Sequence, residues 1–191
     1  MISGLVLMVL LVLAIGYFVG IYNGLVRVRA DVKHTWSNID VLLVQRHDEL
    51  PKLVETCKQY LQYEQGTLER VMVARSAVAS ARASGNIAAI GAAESGMRSG
   101  LAGLFAVAEN YPDLKANEAF RHLQQRITGL EQAIADRREI YNEAVNINNV
   151  RVVAFPDSLI ASRYGFRESQ FLKFEAPQKA DIDLKAQFAA G

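Results

Sequence analysis

The sequence is poor in the residues that usually announce chemistry. Its single cysteine, Cys57, excludes an internal disulfide, a Cys-x-x-Cys redox pair and any multi-thiolate zinc site. Four prolines, and 21% charged against 51% hydrophobic residues, exclude a Pro-rich linker and a disordered polyampholyte. An excess of one charge sign is missing too. Lys and Arg number 21 against 20 Asp and Glu, a net charge of +1 over 191 residues, which removes the electrostatic ground for proposing nucleic acid as a partner. A di-metal carboxylate site in a helical bundle needs Glu-x-x-His on two helices, and the chain has none. Asp31-x-x-His34 is the nearest approach and reads as a solvated helix face, while His47 and His122 stand alone. The His-Glu-x-x-His, Walker and dinucleotide-binding glycine patterns are absent. The glycines from Gly96 to Gly103 lie in an alanine-rich stretch and read as helix packing, not phosphate binding. Cys57 falls in an apolar stripe, where a thiol behaves as a small hydrophobe. The expectation is no catalytic residue, no metal, no cofactor and no enzymatic activity.

What is present begins with the N-terminus. Ile2 to Ile21 holds no charged residue and, at about 1.5 Å per residue, spans roughly 30 Å as a helix, the thickness of a hydrocarbon core. A cleaved signal peptide fits less well: no Lys or Arg precedes the run, the run exceeds a usual signal core, and Ala14-x-Gly16 is a poor cleavage site. Residues 1–21 are therefore expected to be a transmembrane helix in contact with lipid through 2–21. Arg27, Arg29 and Lys33 follow the run, so the positive-inside rule puts the short N-terminus outside and the remainder in the cytoplasm. Tyr17 and Tyr22 suit the interface near the exit. Gly16, Gly20 and Gly24 recur every four residues and place side-chain-free positions on one face, a candidate self-association face for a homo-oligomer.

Beyond the span, length allows one ordinary domain. Leu25, Val28, Val32, Trp36, Ile39, Leu43, Leu50, Leu53, Cys57, Tyr60, Leu68, Val71 and Val78 step by threes, fours and their sums, an amphipathic helical pattern running to about Ala83. Pro51 interrupts it, so that this rod either kinks there or a new helix begins. Ser84-Gly85-Asn86 predicts a turn, and Ile87 to Glu109 a second helix weakened by interior glycines. Asn110-Tyr111-Pro112-Asp113 predicts another turn, with Asp113 available as a cap, before a long helix to about Val153. Phe155-Pro156 ends the periodicity, and Leu159-Ile160 with Tyr164-Gly165-Phe166 suggests a short helix and turn that fold back on the bundle. No stretch alternates with period two. The expected fold is all-α: an antiparallel, coiled-coil-like bundle over 22–176, with three or four long helices, and a tail over 177–191. Trp36 lies in the stripe with Asp40 close by, and Tyr-Asn occurs at Tyr22-Asn23 and Tyr141-Asn142. If the first and last helices are neighbours, these polar groups can fix their register at one membrane-proximal end.

The sequence resembles the LemA family. Tyr22-Asn23-Gly24-Leu25-Val26, Arg29, Trp36-Ser37-Asn38-Ile39-Asp40-Val41, Leu43, Arg46 and Leu50-Pro51 look like its opening signature. Glu109-Asn110-Tyr111-Pro112-Asp113-Leu114, Phe120, Leu130-Glu131, Arg137-Arg138, Tyr141-Asn142, Val145, Asn148 and Phe155-Pro156 resemble its later blocks. Asn149 departs from the small residue usual there, and Ala83 to Ser99 follows no family pattern. The resemblance implies one N-terminal span in a bacterial inner membrane and a cytoplasmic four-helix bundle. It transfers no catalytic residues, and it links relatives to membrane or organelle biogenesis.

Three functions remain distinct at this stage: a self-associating scaffold or adaptor, an accessory subunit of a membrane enzyme such as a protease, and an enzyme with an unrecognised site. The first best fits the anchor and the long helices.

Overall fold

The computed structural model describes residues 2–174, so the tail expected over 177–191 lies outside the described residues. Among the described residues six helices follow one another: α1 (Ile2–Lys58), α2 (Gln65–Ser84), α3 (Ile87–Ala108), α4 (Pro112–Ala116), α5 (Glu118–Val153) and α6 (Asp157–Tyr164). Among the described residues there is no strand. Contacts divide the chain into two units. One comprises the chain up to Leu43 together with Gln132–Phe171, and the other Val44–Glu131 with the chain from Leu172 onward. Both boundaries that cut a helix fall inside it, so α1 and α5 each contribute a segment to each unit.

In the first unit, every large apolar side chain of α1 from Ile2 to Val19 is exposed. An all-apolar helix that buries none of its surface needs an apolar surround, and its length matches a bilayer. The same helix then turns amphipathic: Ile21 and Leu25 are buried with Ile160, Ala161 and Phe166, and Val152 packs against them. Further along α1, the Trp36 ring meets the Tyr141 ring of α5 edge-to-face at 5.7 Å. Gly165 ends α6 with φ +72°, a left-handed geometry that glycine adopts without a Cβ clash.

The second unit holds the larger core. Leu50, Leu53, Cys57, Leu61, Leu68, Val71, Met97, Leu104, Phe120 and Ile127 are buried together. The helix does not break at Pro51, which lies inside α1; the interruption falls instead between Lys58 and Gln65. The physical reason is a substituted donor. A proline at 51 leaves the carbonyl of His47, four residues earlier, without its helical partner, and Arg75 Nε of α2 donates to that oxygen at 3.0 Å. The chain then leaves α1 through Tyr60 and Leu61, whose backbone N–H groups both donate to the Cys57 carbonyl.

The expected turn at Ser84-Gly85-Asn86 is present. Gly85 takes φ +66°, and the Asn86 side chain caps α3 by accepting from Ala89 N at 3.1 Å. Asp113 does not cap the long helix. It lies in the first turn of α4, and Asn117 Oδ1 accepts from Phe120 N at 3.0 Å to start α5. Gly91 of α3 is required by a close approach, because a Cβ there would collide with the Lys173 carbonyl oxygen.

Two outcomes follow from this packing. Restoring a backbone donor with Pro51→Ala makes Arg75 redundant, so Arg75→Met should destabilise the Pro51 protein by about 1–3 kcal/mol, the worth of a charge-assisted hydrogen bond to a partly buried carbonyl. The same change should cost clearly less in the Pro51→Ala background. Equal losses in both backgrounds, read by denaturant unfolding in mild detergent, would contradict the pairing. Burial pushes the Cys57 thiol up to about 12, above the model-compound value. At pH 8 it should therefore resist alkylation in the folded chain and react on unfolding. Between pH 9 and 12 the unfolded thiol ionises while the folded one does not, so stability falls as pH rises, and Cys57→Ala should flatten that slope.

Candidate functional site

The most unusual chemistry is a charge placed where the stripe pattern calls for an apolar residue. Arg46 follows Leu43 and precedes Leu50 on α1 at steps of three and four, and its side chain is 1% exposed. Glu94 occupies the matching kind of position on α3, between Ile90 and Met97, and is fully buried. Arg46 Nη2 donates to Glu94 and Nη1 to Glu131 of α5, so a single guanidinium ties three helices. Glu131 is in turn approached by Arg98 Nε at 3.3 Å. Glu49, one turn along α1, pairs with Arg126 Nε of α5 at 3.1 Å and with Lys52 at 3.3 Å.

Electrostatics in this network are asymmetric. Burial disfavours the Arg46 charge, but Glu94 and Glu131 outweigh that and hold it firmly protonated. Burial pushes the Glu94 carboxyl above the usual carboxylate range, with Arg46 opposing the shift. Arg46 Nε and Glu94 Oε2 have no hydrogen-bond partner among the described residues. Ion pairs taken out of water gain little net stability, yet removing one member leaves a stranded charge. Such a network therefore selects one mutual placement of α1, α3 and α5 over its neighbours.

A second constellation lies in the first unit. Asn148 is buried and donates from Nδ2 to the Arg167 carbonyl at 3.2 Å. Asn149 both donates to Ser169 O at 2.9 Å and accepts from Ser169 N at 2.7 Å, imitating a strand pair. Tyr141 Oη donates to Gln170 O at 2.9 Å. The amides of α5 thereby pin the irregular chain that follows Phe166. Asn149, a departure from the family pattern, is used here as a clamp.

The membrane-proximal residues form a third group. Tyr22 packs edge-to-face on Tyr164 at 5.2 Å and on Phe166 at 5.8 Å, and the Arg29 guanidinium lies 6.0 Å from the Phe166 ring centre. Gly24 faces the Arg151 guanidinium so closely that a Cβ would reach its nitrogens at 2.6 Å. Arg151 is itself held by Asp157, with Nε 2.7 Å from its oxygen.

The residues expected from sequence are thus distributed among different tasks. Gly16 and Gly20 have open space around them, whereas Gly24 is taken up by Arg151 of the same chain. The two Tyr-Asn pairs do not meet. Tyr22 lies with Tyr164 and Phe166, while Tyr141 lies with Trp36, fourteen positions and roughly 21 Å further along α1. Asn23 is exposed, and Asp40 and Asn142 are half-buried. Tyr111 packs against the larger core, Pro112 opens α4, and Phe155 stands exposed before Pro156. Asp31 and His34 are both exposed, and no group of three His, Cys, Asp or Glu side chains able to hold a metal occurs among the described residues.

Glu131, named above only for the resemblance it carries, is a partner of the buried arginine. Glu94 was missed altogether. Its signal was an acid at a stripe position, in the stretch where no family pattern helps.

An exposed apolar N-terminal helix continuous with a helical core held by buried ion pairs defines a membrane-associated, all-helical protein. The chain belongs to the LemA family, whose model matches residues 35–188. Among curated proteins it is similar to magnetosome proteins MamQ 1 and MamQ 2 of Paramagnetospirillum magneticum strain AMB-1. Each is 24% identical over 194 aligned residues, covering 87% of this chain and 71% of the relative. Magnetosome protein MamQ of Magnetospirillum gryphiswaldense strain MSR-1 is 22% identical, covering 78% of this chain and 64% of its own length.

Arg46→Met should cost about 3–5 kcal/mol by stranding Glu94, and adding Glu94→Gln should recover much of that loss. A double variant no better than the single one would sink the ion-pair account. Because the folded Glu94 carboxyl titrates above its unfolded value, its stabilising contribution is full below the unfolded pKa. It is lost as pH rises through the folded one, and Glu94→Gln should reduce this dependence in full-length protein unfolded at graded pH.

Proposed function

We propose that the chain is a self-associating scaffold or adaptor, anchored by one span in the bacterial inner membrane, with its N-terminus outside and its helical domain in the cytoplasm. The observation that carries this reading is the unbroken course of α1 from the apolar span into the core, Ile2 to Lys58, with no linker between anchor and domain. Arg27, Arg29 and Lys33 after the span support the orientation. The relatives' description as magnetosome proteins supports a place in membrane organisation or biogenesis.

An antiparallel up-and-down bundle is the arrangement we infer for the helices. In the first unit, Gly24 lies by Arg151 and Trp36 by Tyr141, so α5 runs back as α1 advances. In the second unit Arg46, Glu49 and Tyr60 pair in turn with Glu131, Arg126 and Asn117, the same reversed order. Gly16 and Gly20 supply the self-association face, since a second helix can approach where none of the described residues does.

The test is mass determination of full-length protein in mild detergent, with bound proteins identified in the same sample. We expect a homo-oligomer that Gly16→Leu with Gly20→Leu reduces to smaller species. An unchanged oligomer would remove that face from the account. A monomer that returns one defined membrane enzyme would replace the scaffold by an accessory subunit.

A further inference from the structure

Where α5 ends and α6 begins, large apolar side chains face outward. Phe155 is 81% and Leu159 64% exposed, with Val153 and Tyr164 exposed beside them. Such a concentration in a short stretch marks an interaction surface, and its place along α1 indicates what covers it. Tyr164 packs on Phe18 with ring centres 5.9 Å apart, and on Tyr22 at 5.2 Å. Phe18 lies in the apolar stretch Ile2 to Ile21 read as the span. Arg151 lies by Gly24, and Val152 packs on the cluster of Ile21 and Leu25. The end of α5 and the whole of α6 are therefore carried to the level at which α1 leaves its apolar run.

We propose that this α5–α6 corner is a second membrane contact, with α6 seated in the interfacial layer of the bilayer and Phe155 and Leu159 inserted beside the span. α6 has the two-sidedness this needs. Ile160 and Ala161 face the protein core, while the neighbouring Leu159 faces away from it. Tyr164 is an amphipathic ring at the depth such rings favour, and its contact with Phe18 makes the outward apolar surface of α6 continuous with that of the span. Arg27 of α1 and Arg163 of α6 are exposed close to the same level, placed to meet lipid phosphates. A second protein copy is the rival occupant. Lipid is favoured because the corner adjoins a surface that itself requires lipid.

This inference rests on the reading of residues 2–21 as a span, and the experiment separates the two. Full-length protein carrying a single spin-labelled cysteine, in a Cys57→Ala background, is reconstituted in vesicles of phosphatidylethanolamine and phosphatidylglycerol. Labels at Phe155→Cys and Leu159→Cys are compared with Val12→Cys inside the span and with Ser80→Cys on the exposed side of α2, using collision with oxygen and with a water-soluble nickel chelate. The expected result is an oxygen-to-nickel ratio at 155 and 159 several-fold above that at 80 and approaching that at 12. A ratio equal to that at 80 overturns the proposal, as does an immobilised label reached by neither reagent, which would mean protein covers the corner. A water-like label at 12 overturns the anchor and the corner together, whereas a lipid-like label at 12 with a water-like label at 159 overturns the corner alone.

Discussion

Arg46 carries a full charge at a position with almost no access to water, and three helices are arranged around the need to compensate it. A guanidinium offers several donors in a fixed fork, so it accepts carboxylates only from particular directions. Glu94 and Glu131 come from those directions, one from α3 and one from α5. Leucine-like packing alone tolerates sliding by a turn, because neighbouring turns of an apolar stripe look alike. A buried charge does not tolerate it, since a one-turn slip of either partner strands an ion. Specificity of arrangement, more than added stability, is what this network supplies.

The helix content was legible because each stripe repeats at steps of three and four, and the turn at Gly85 was legible because few residues adopt a left-handed backbone easily. Pro51 shows where local rules stop. Read alone, a proline in a helical pattern means a kink or a break, because it leaves a carbonyl unmet. The compensation comes from Arg75, a side chain of another helix that no local window could connect to it. Asn117 displaced Asp113 as the cap for a similar reason. Both residues have suitable side chains, and only the course of α4 decides which one stands at the start of α5.

The buried groups were partly visible. Arg46 and Asn148 interrupt apolar stripes, and a polar residue at a core position is a signal of paired burial. Glu94 interrupts one as well, but amid alanines and glycines its stripe is faint. The return of α6 after Pro156 was legible in Tyr164-Gly165-Phe166, but which ring of α1 it meets was not, because the pairing with Tyr22 depends on tertiary register. The polar Tyr-Asn pairs invited a shared level, but the register within the first unit, with Gly24 against Arg151 and Trp36 against Tyr141, puts them at different ones.

The uninterrupted passage of α1 from span to core imposes a rule of helical phase. One residue added between Ile21 and Leu25 would turn everything beyond it by about 100° and advance it about 1.5 Å, whereas seven added residues would restore the facing to within about 20°. Ile21 would no longer share a face with Leu25, and the face carrying Gly16 and Gly20 would point elsewhere relative to Trp36. The juxtamembrane segment thus acts as an angular gauge, in which geometry fixes the number of residues between span and core.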